Sequence, residues 1–478
     1  MNAPKPTRNS APSPPTRSGN SETPAAPQIR DDTIVALSTA PGRGAIALIR
    51  MSGPEAHQIG RSIVARWPDA ARRVQLSTLN DPVDGLEIDQ GMVTRFNAPH
   101  SYTGENMVEI ACHGGVAVTT AVLNALIGRG AREAEPGEFT QRAVLHGKLD
   151  ILQAEAVADL VDARTTAARG LALSQLHGLL SSQVNGLRES VLQIEALLAY
   201  DLDFPDEDDG PVAAGRITEA ALRVIDRLSD LLATAPLAEV ASDGALVVIA
   251  GAPNVGKSSL FNALVGSRRA IVTDLPGTTR DAIEARLDAP HWPLRLIDTA
   301  GLRETQDTVE RLGIEVSEQH IRRAHVVLVC DDNDDQLLVA LETVGALTHA
   351  PRIPVRTKVD RRSDVEPSAA VRGAVAVSAT TGLGLEHLLA SIEQQLAATL
   401  GAVPIDQPVL TRTRHRVALE HARSEMKLFA DAWASRSVPS VVAAVHVRSA
   451  SAALDELIGS VDVDDILEQV FRTFCVGK

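Results

Sequence analysis

The rhythm of apolar and polar positions changes several times along this chain, and each change predicts a different kind of element. Residues 1–30 show no apolar periodicity and hold seven prolines, which predicts a disordered leader. A transit peptide is the alternative for this acid-poor, Arg- and Ser-containing stretch, although its prolines argue against a targeting helix. From Thr33 the pattern becomes short β-prone runs. Thr33–Leu37 and Ala45–Arg50 flank the turn Pro41-Gly42-Arg43-Gly44, and further runs lie near 91–96 and 107–112. A helical stretch over about 116–128 follows, which makes residues 31–147 a mixed α/β unit. Beyond it Leu149, Leu152, Ala156, Leu160, Leu171, Leu176, Leu179 and Leu180 recur at helical spacing, and proline is absent from Ile151 to Tyr200. The acidic knot at 201–210 breaks these helices before another helical stretch at about 215–234. An alternating αβ segment then occupies 244–400, and residues 411–478 read as helical again. The economical organisation is a helical domain, 148–243 with 401–478, split by an inserted αβ domain.

Length agrees with this division, since 478 residues at roughly 150 per domain suggest about three domains. Acidic residues outnumber basic ones 61 to 46, giving a net charge of −15, which excludes a general nucleic-acid coat protein. Aromatics at 3 % are too few for a protein devoted to stacking single-stranded bases. Cys112, Cys330 and Cys475 are scattered with no CxxC pair, so neither a disulfide framework nor a structural zinc site is expected and the setting reads as cytoplasmic. No apolar run approaches the roughly 18 residues needed to span a bilayer.

The inserted segment carries the clearest chemistry. The apolar strand Ala245–Ala250 feeds directly into Gly251-Ala252-Pro253-Asn254-Val255-Gly256-Lys257-Ser258, with a helix expected from Ser259. This is G-x-x-x-x-G-K-[ST] in strand–loop–helix context, where backbone N–H groups wrap phosphates, Lys257 bridges the β- and γ-phosphates, and Ser258 ligates Mg²⁺. Asp298-Thr299-Ala300-Gly301 follows a strand at 294–297 and places a carboxylate for the Mg²⁺ shell. Thr273-Asp274-Leu275-Pro276-Gly277-Thr278-Thr279 leads into a loop able to close on the γ-phosphate, with a threonine hydroxyl available to Mg²⁺. Thr357-Lys358-Val359-Asp360 and Ser378-Ala379-Thr380 each follow a short strand. Asp360 can accept from N1–H and the 2-amino group of guanine; adenine would leave that carboxylate unpaired. Leu302 stands where a Ras-like enzyme orients water with glutamine, so another group must do so; Glu304 and Glu310 are both available.

These motifs resemble the Era-like group of P-loop GTPases. Across Thr33–Lys478 the chain resembles, more narrowly, the MnmE (TrmE) family of tRNA wobble-uridine modification GTPases. The residues that carry this are PGRGAIALIR at 41–50, SYTGENMVEIACHGG at 101–115, PGEFTQRAVLHGKLD at 136–150, DFPDE at 203–207, the inserted GTPase segment, and the terminal Phe474-Cys475-Val476-Gly477-Lys478. One departure from the Era-like pattern is Thr357, where most members carry Asn, so one side-chain contact near the base is expected to be weakened while guanine selection survives.

The resemblance implies an N-terminal α+β domain that dimerises and binds a tetrahydrofolate derivative (5-formyl or 5,10-methylene), through Arg50, Glu109, Lys148 and Lys478. It also implies a Ras-like doubly wound GTPase domain in which K⁺ (on Asn254, Thr273, Leu275 and Thr278) drives pairing of two such domains. Mg²⁺ is then held by Ser258 and Thr279, GTP is contacted through Asn254 to Ser259, 273–279, 298–301, 357–360 and 378–380, and Glu310 organises water beside Lys257. The implied function is a homodimer that joins an FAD-dependent, MnmG-type partner in a heterotetramer. Together they would place an aminomethyl or carboxymethylaminomethyl group on C5 of tRNA uridine 34.

Three further features need weighing. Cys475 is expected to be a small residue ordering the tail, with a nucleophilic thiol beside Lys478 as the alternative. Cys112-His113 reads as a turn after a strand rather than a reactive dyad. Thr411–Arg416 is the densest basic cluster outside the tail, and is either a solvated helix start or a contact for tRNA phosphate. The rival functions are an Era-like switch in ribosome or RNA–protein assembly, and a folate enzyme with a vestigial GTPase site. A KH module would mark the first; intact Lys257, Ser258, Asp298 and Asp360 argue against the second.

Overall fold

The computed structural model describes residues 32–203, 214–267, 283–289, 292–298, 318–361, 371, 373–401, 407–435, 439–459, 474 and 477. The expectations for the leader, the 203–207 motif beyond Asp203, Thr273–Thr279, Thr299–Gly301, Leu302, Glu304, Glu310, Cys475 and Lys478 lie outside the described residues.

The N-terminal unit is a six-stranded sheet. Strands β1 (Ile34–Leu37) and β2 (Ile46–Ser52) pair antiparallel across the glycine turn. Helix α1 (Ala56–Ile63) leads to β3 (Gln75–Asn80), β4 (Glu87–Phe96) and β5 (Met107–His113), followed by α2 (Val116–Ile127), β6 (Arg132–Glu133) and α3 (Glu138–Leu145). The strand order is β3-β4-β5-β2-β1-β6, with only β6 running parallel to its neighbour. Alternate residues Val35, Ile49, Met51, Val108 and Ile110 face α1 and α2, while Arg50 and Glu109 stand on the opposite face, as the two-residue period requires. Cys112 and His113 end β5 rather than form the turn, which Gly114 and Gly115 take; Cys112 is buried, and His113 Nδ1 meets Asp89 Oδ1 at 2.7 Å.

Helices α4 (Ile151–Asp162), α5 (Thr166–Leu176), α6 (Leu179–Asp203), α7 (Ala214–Leu232) and α8 (Ala235–Asp243) follow. Asp150 starts α4 with a reciprocal cap, accepting from Gln153 N while the Gln153 side chain accepts from Asp150 N. On α6, Val184, Leu187, Val191, Ile194 and Leu198 alternate at three and four residues and make one apolar seam. That seam packs with α7 and with two helices from the far end of the sequence.

Between them lies the second six-stranded sheet. It is built from β7 (Ala245–Gly251), α9 (Lys257–Ser267), β8 (Ile283–Asp288), β9 (Pro293–Asp298), β10 (Val326–Asp331), α10 (Asp334–Leu347), β11 (Arg352–Arg356), β12 (Val375–Ala376) and α11 (Leu385–Leu400). The order is β12-β11-β10-β7-β9-β8, parallel except for the edge strand β8. Its central strands are apolar nearly throughout because both faces are covered. Helix α9 begins at Lys257, two residues before the sequence reading placed it. The bundle is completed by α12 (Thr413–Ser435) and α13 (Ser440–Ile458). The two units share a core: Ala167 and Leu171 of α5, Val240 and Ala241 of α8, and Val409 lie in one apolar cluster with β7, β9 and α11. Among the described residues no helix is long and apolar enough to cross a membrane.

Candidate functional site

The phosphate loop follows β7 at the point where the sheet order reverses, with β10 on one side and β9 on the other. Gly251 opens the loop with φ +150°, and a Cβ there would stand 2.1 Å from the Cys330 carbonyl oxygen. Only glycine lets the loop leave the strand so close to β10. Asn254 adopts a left-handed conformation (φ +64°). Lys257 is buried, and its ammonium donates to the Gly251 and Ala252 carbonyls at 3.1 and 2.8 Å. The cation is thus held inside the loop that a triphosphate would enter. Ser258 and Ser259 are exposed on the first turn of α9, where N–H groups and the helix dipole favour an anion. Asp298 ends β9 with its carboxylate buried. Cys330, wholly buried behind the loop, has its thiol pushed up to about 12 by burial and is chemically inert.

The two loops expected to meet the base, 357–360 and 378–380, are braced onto this framework. Thr357 Oγ1 donates to the Val255 carbonyl at 2.5 Å, so the residue that departs from the family pattern ties the base loop to the phosphate loop. Lys358 (φ +54°) donates to the Asn254 carbonyl at 2.6 Å and to Asp332 Oδ2 at 2.9 Å. Asp332 was not singled out by the sequence; its signal is the paired acid Asp331-Asp332 at a strand end. Asp360 Oδ1 accepts from Ser378 Oγ at 2.7 Å, which orients the carboxylate, and Ala379 and Thr380 continue that loop.

A second constellation lies on the open face of the N-terminal sheet. Arg50 donates through Nε and Nη2 to Glu109 Oε1 at 3.0 and 2.8 Å. The guanidinium lies 5.3 Å from the Tyr102 ring centre and 5.8 Å from that of Phe139, two aromatic neighbours the sequence reading did not identify. Lys148 donates to the Pro99 carbonyl at 3.0 Å, and its chain passes beside Gly104, two residues from Tyr102. Gly477, next to the last residue, accepts from Ser38 Oγ at 3.0 Å, just beyond the β1 residues that pair with Arg50 and Ile49. Segments far apart in sequence therefore meet around Arg50.

The basic cluster at 411–416 requires correction. It is neither a solvated helix start nor an RNA-facing surface, because its charges turn inward onto α4. Glu155 is fully buried and accepts from Arg414 Nε and His415 Nε2, both at 2.7 Å, while Arg412 Nη2 donates to Asp159 Oδ1 at 2.7 Å. Burial pushes the Glu155 carboxyl upward, but His415 and Arg414 outweigh it and hold it at about 2. Burial lowers His415 from the ordinary imidazole value, while its hydrogen bond to Glu155 and that residue's charge pull the other way. A charged acid fixed by two donors from the other end of the chain is a structural joint. Arg416 alone points outward, beside Glu420.

Comparison with known proteins places both sites in one context. The family model described as "GTP-binding protein TrmE N-terminus" matches residues 33–148, and "MnmE helical domain" matches 151–475. The chain is 38 % identical over 451 residues to a tRNA modification GTPase MnmE of Aquifex aeolicus, covering 94 % of this chain and 100 % of that one. It is 42 % identical over 458 residues to the protein of that name from Methylorubrum populi, covering 94 % and 99 %. Among solved structures, the G domain of the T. maritima FeoB iron transporter aligns at 25 % identity and a TM-score of 0.26, covering 32 % of this chain and 98 % of that one.

Proposed function

The chain belongs to the MnmE family of GTPases, and from that premise we propose that it hydrolyses GTP in the service of tRNA modification. The observation that carries the reading is the braced nucleotide site: a Gly251-to-Ser258 phosphate loop joined by Thr357 and Lys358 to a guanine-selective Asp360. Backbone N–H groups of the loop and Lys257 stabilise charge that develops on the phosphates during hydrolysis. Ser258 and Asp298 offer the oxygen donors a hard divalent cation takes, so Mg²⁺ fits here with Thr279, and it would neutralise phosphate charge when bound.

The finer reading follows the family. K⁺ would sit on Asn254, Thr273, Leu275 and Thr278 and promote pairing of two GTPase domains, with Glu310 organising the attacking water. Asn254 already has the left-handed turn that faces its carbonyl toward Lys358. A tetrahydrofolate derivative fits the Arg50 region. Glu109 uses Oε1 for Arg50, leaving Oε2 for an amine or amide donor of a pterin, and Lys148 and Lys478 suit the carboxylates of a glutamyl tail. The protein would act as a homodimer with an FAD-dependent MnmG-type partner, carrying the C5 modification of uridine 34 in the cytoplasm.

Two measurements test this. GTP turnover should rise sharply in K⁺ over Na⁺; equal rates would remove K⁺ while leaving the GTPase reading intact. Nucleosides of tRNA from cells lacking this protein should lose a wobble modification that the wild-type chain restores and Lys257→Ala does not. Unchanged nucleosides would refute the role in tRNA modification.

A further inference from the structure

The inward turn of Arg412, Arg414 and His415 removes the densest basic cluster from any RNA surface, in a chain whose net charge is −15. A different set of arginines faces outward. Arg216, Arg223 and Arg227 follow one another at seven and four residues on α7, within about 40° around the helix and about 17 Å along it. They line a cleft of about 220 Å³ between α6 and α7; among the described residues its other walls are Ser190, Gln193, Leu197, Ala220 and Val224, none of them acidic.

The cleft is organised around its arginines. Arg227 Nη1 donates to Ser190 Oγ at 3.1 Å and to the Gly186 carbonyl at 3.4 Å. Gly186 lies inside α6, where glycine costs about 1 kcal/mol against alanine. A Cβ there would stand 3.2 Å from Arg227 Nη2, so the glycine makes room for the guanidinium. Arg223 has one acidic neighbour, Glu219 at 3.5 Å, and both side chains are largely exposed, a pairing of little strength. Arg216 is exposed and has no ion-pair or hydrogen-bond partner among the described residues. The acids of α7, namely Glu219, Asp226 and Asp230, lie to one side of the arginine row, opposite the side of Ala220 and Val224. On α6, Glu189 is exposed outside the cleft, and Glu195 is occupied by Arg448 at 2.8 Å.

We infer that the α6–α7 cleft binds the phosphodiester backbone of the substrate RNA through Arg216, Arg223 and Arg227. This deepens the tRNA reading above and rests on it. Guanidinium forks match phosphate oxygens two at a time, and a row of three follows a strand rather than a single anion. Ser190 and Gln193 add neutral hydrogen-bonding groups. Among the described residues no aromatic ring lines the cleft, so contact is with backbone rather than stacked bases, and the cleft positions RNA without reading its sequence.

The test uses the full chain and an unmodified tRNA transcript, with binding followed by fluorescence anisotropy over a range of KCl concentrations. The variant Arg216→Glu/Arg223→Glu alters two exposed side chains and leaves Arg227 in place. It should lose tenfold or more in tRNA affinity, and its slope of log affinity against log salt should become shallower by about 1.5–2. Arg216→Lys/Arg223→Lys should keep the wild-type salt slope, because lysine retains the charge, while losing several-fold in affinity with the bidentate forks. GTP turnover without RNA should be the same in all three proteins. Wild-type affinity and slope in the glutamate variant would overturn the inference while leaving the tRNA reading standing, and would point to an acidic protein segment as occupant. Absence of tRNA binding by the wild type itself would overturn both.

Discussion

Glu155 offers the sharpest quantitative test of the structure. Its carboxylate is fully buried and held at about 2 by His415 and Arg414 against the opposing effect of burial, from an ordinary value of 4.5. A folded value below the unfolded one means the stabilisation is complete above about pH 4.5 and is lost as pH falls toward 2. At about 1.4 kcal/mol per pKa unit, the interaction contributes on the order of 3 kcal/mol at neutral pH. Glu155→Gln keeps one acceptor oxygen but removes the charge, leaving the half-buried Arg414 beside a neutral amide. It should destabilise by about 2–4 kcal/mol at pH 7. The same variant should show a flatter loss of stability than wild type between pH 5 and 2.

Trp433 lies on α12, the helix that carries His415, and stacks on Phe429, so its fluorescence in a Trp67→Phe/Trp292→Phe background reports this bundle. Urea unfolding at pH 7 and at pH 3 then gives the four values needed. A Gln variant within about 0.5 kcal/mol of wild type at pH 7, the size of an ordinary surface substitution, would refute the reasoning. It would mean that the pair returns no more than its desolvation cost.

Two other substitutions probe the nucleotide site. Gly251→Ala puts a methyl group 2.1 Å from the Cys330 carbonyl oxygen. Backbone strain of about 3 kcal/mol corresponds to roughly a hundredfold loss of GDP affinity, measurable by calorimetry, and near-normal binding would show that the loop leaves β7 differently. Thr357→Val removes the hydroxyl that reaches Val255. The lost bond and the stranded carbonyl are worth about 1–2 kcal/mol, so GDP should dissociate several-fold faster in stopped-flow with a fluorescent analogue. Thr357→Ser should restore the wild-type rate, and a Val variant equal to wild type would remove the brace.

The phosphate loop was legible because its glycines are dictated by local backbone geometry, which spacing alone expresses. The buried strands were legible for a similar reason, as β7 and β10 are apolar on both faces. What stayed hidden was direction and distant pairing. Arg412 and Arg414 read as surface charge because the acids that claim them, Asp159 and Glu155, lie in α4, 253 and 259 residues earlier. Thr357 looked like a weakened base contact, since nothing in its neighbourhood announces the Val255 carbonyl 102 positions away. Tyr102 and Phe139 bear on Arg50 only after the fold brings β2, the loop before β5 and helix α3 together.

The apolar cluster in which Ala167 and Leu171 lie with β7 and α11 has a practical consequence for anyone dissecting this protein. A fragment cut at 244 and 400 would keep every residue proposed to contact the nucleotide yet shed α5, α8 and Val409, baring greasy surface on both pieces. Such a fragment invites aggregation, and sluggish turnover in it would testify to the cut rather than to the chemistry. Retaining 165–176 through a designed linker, or grafting polar residues onto the uncovered patch, is the sounder surgical plan.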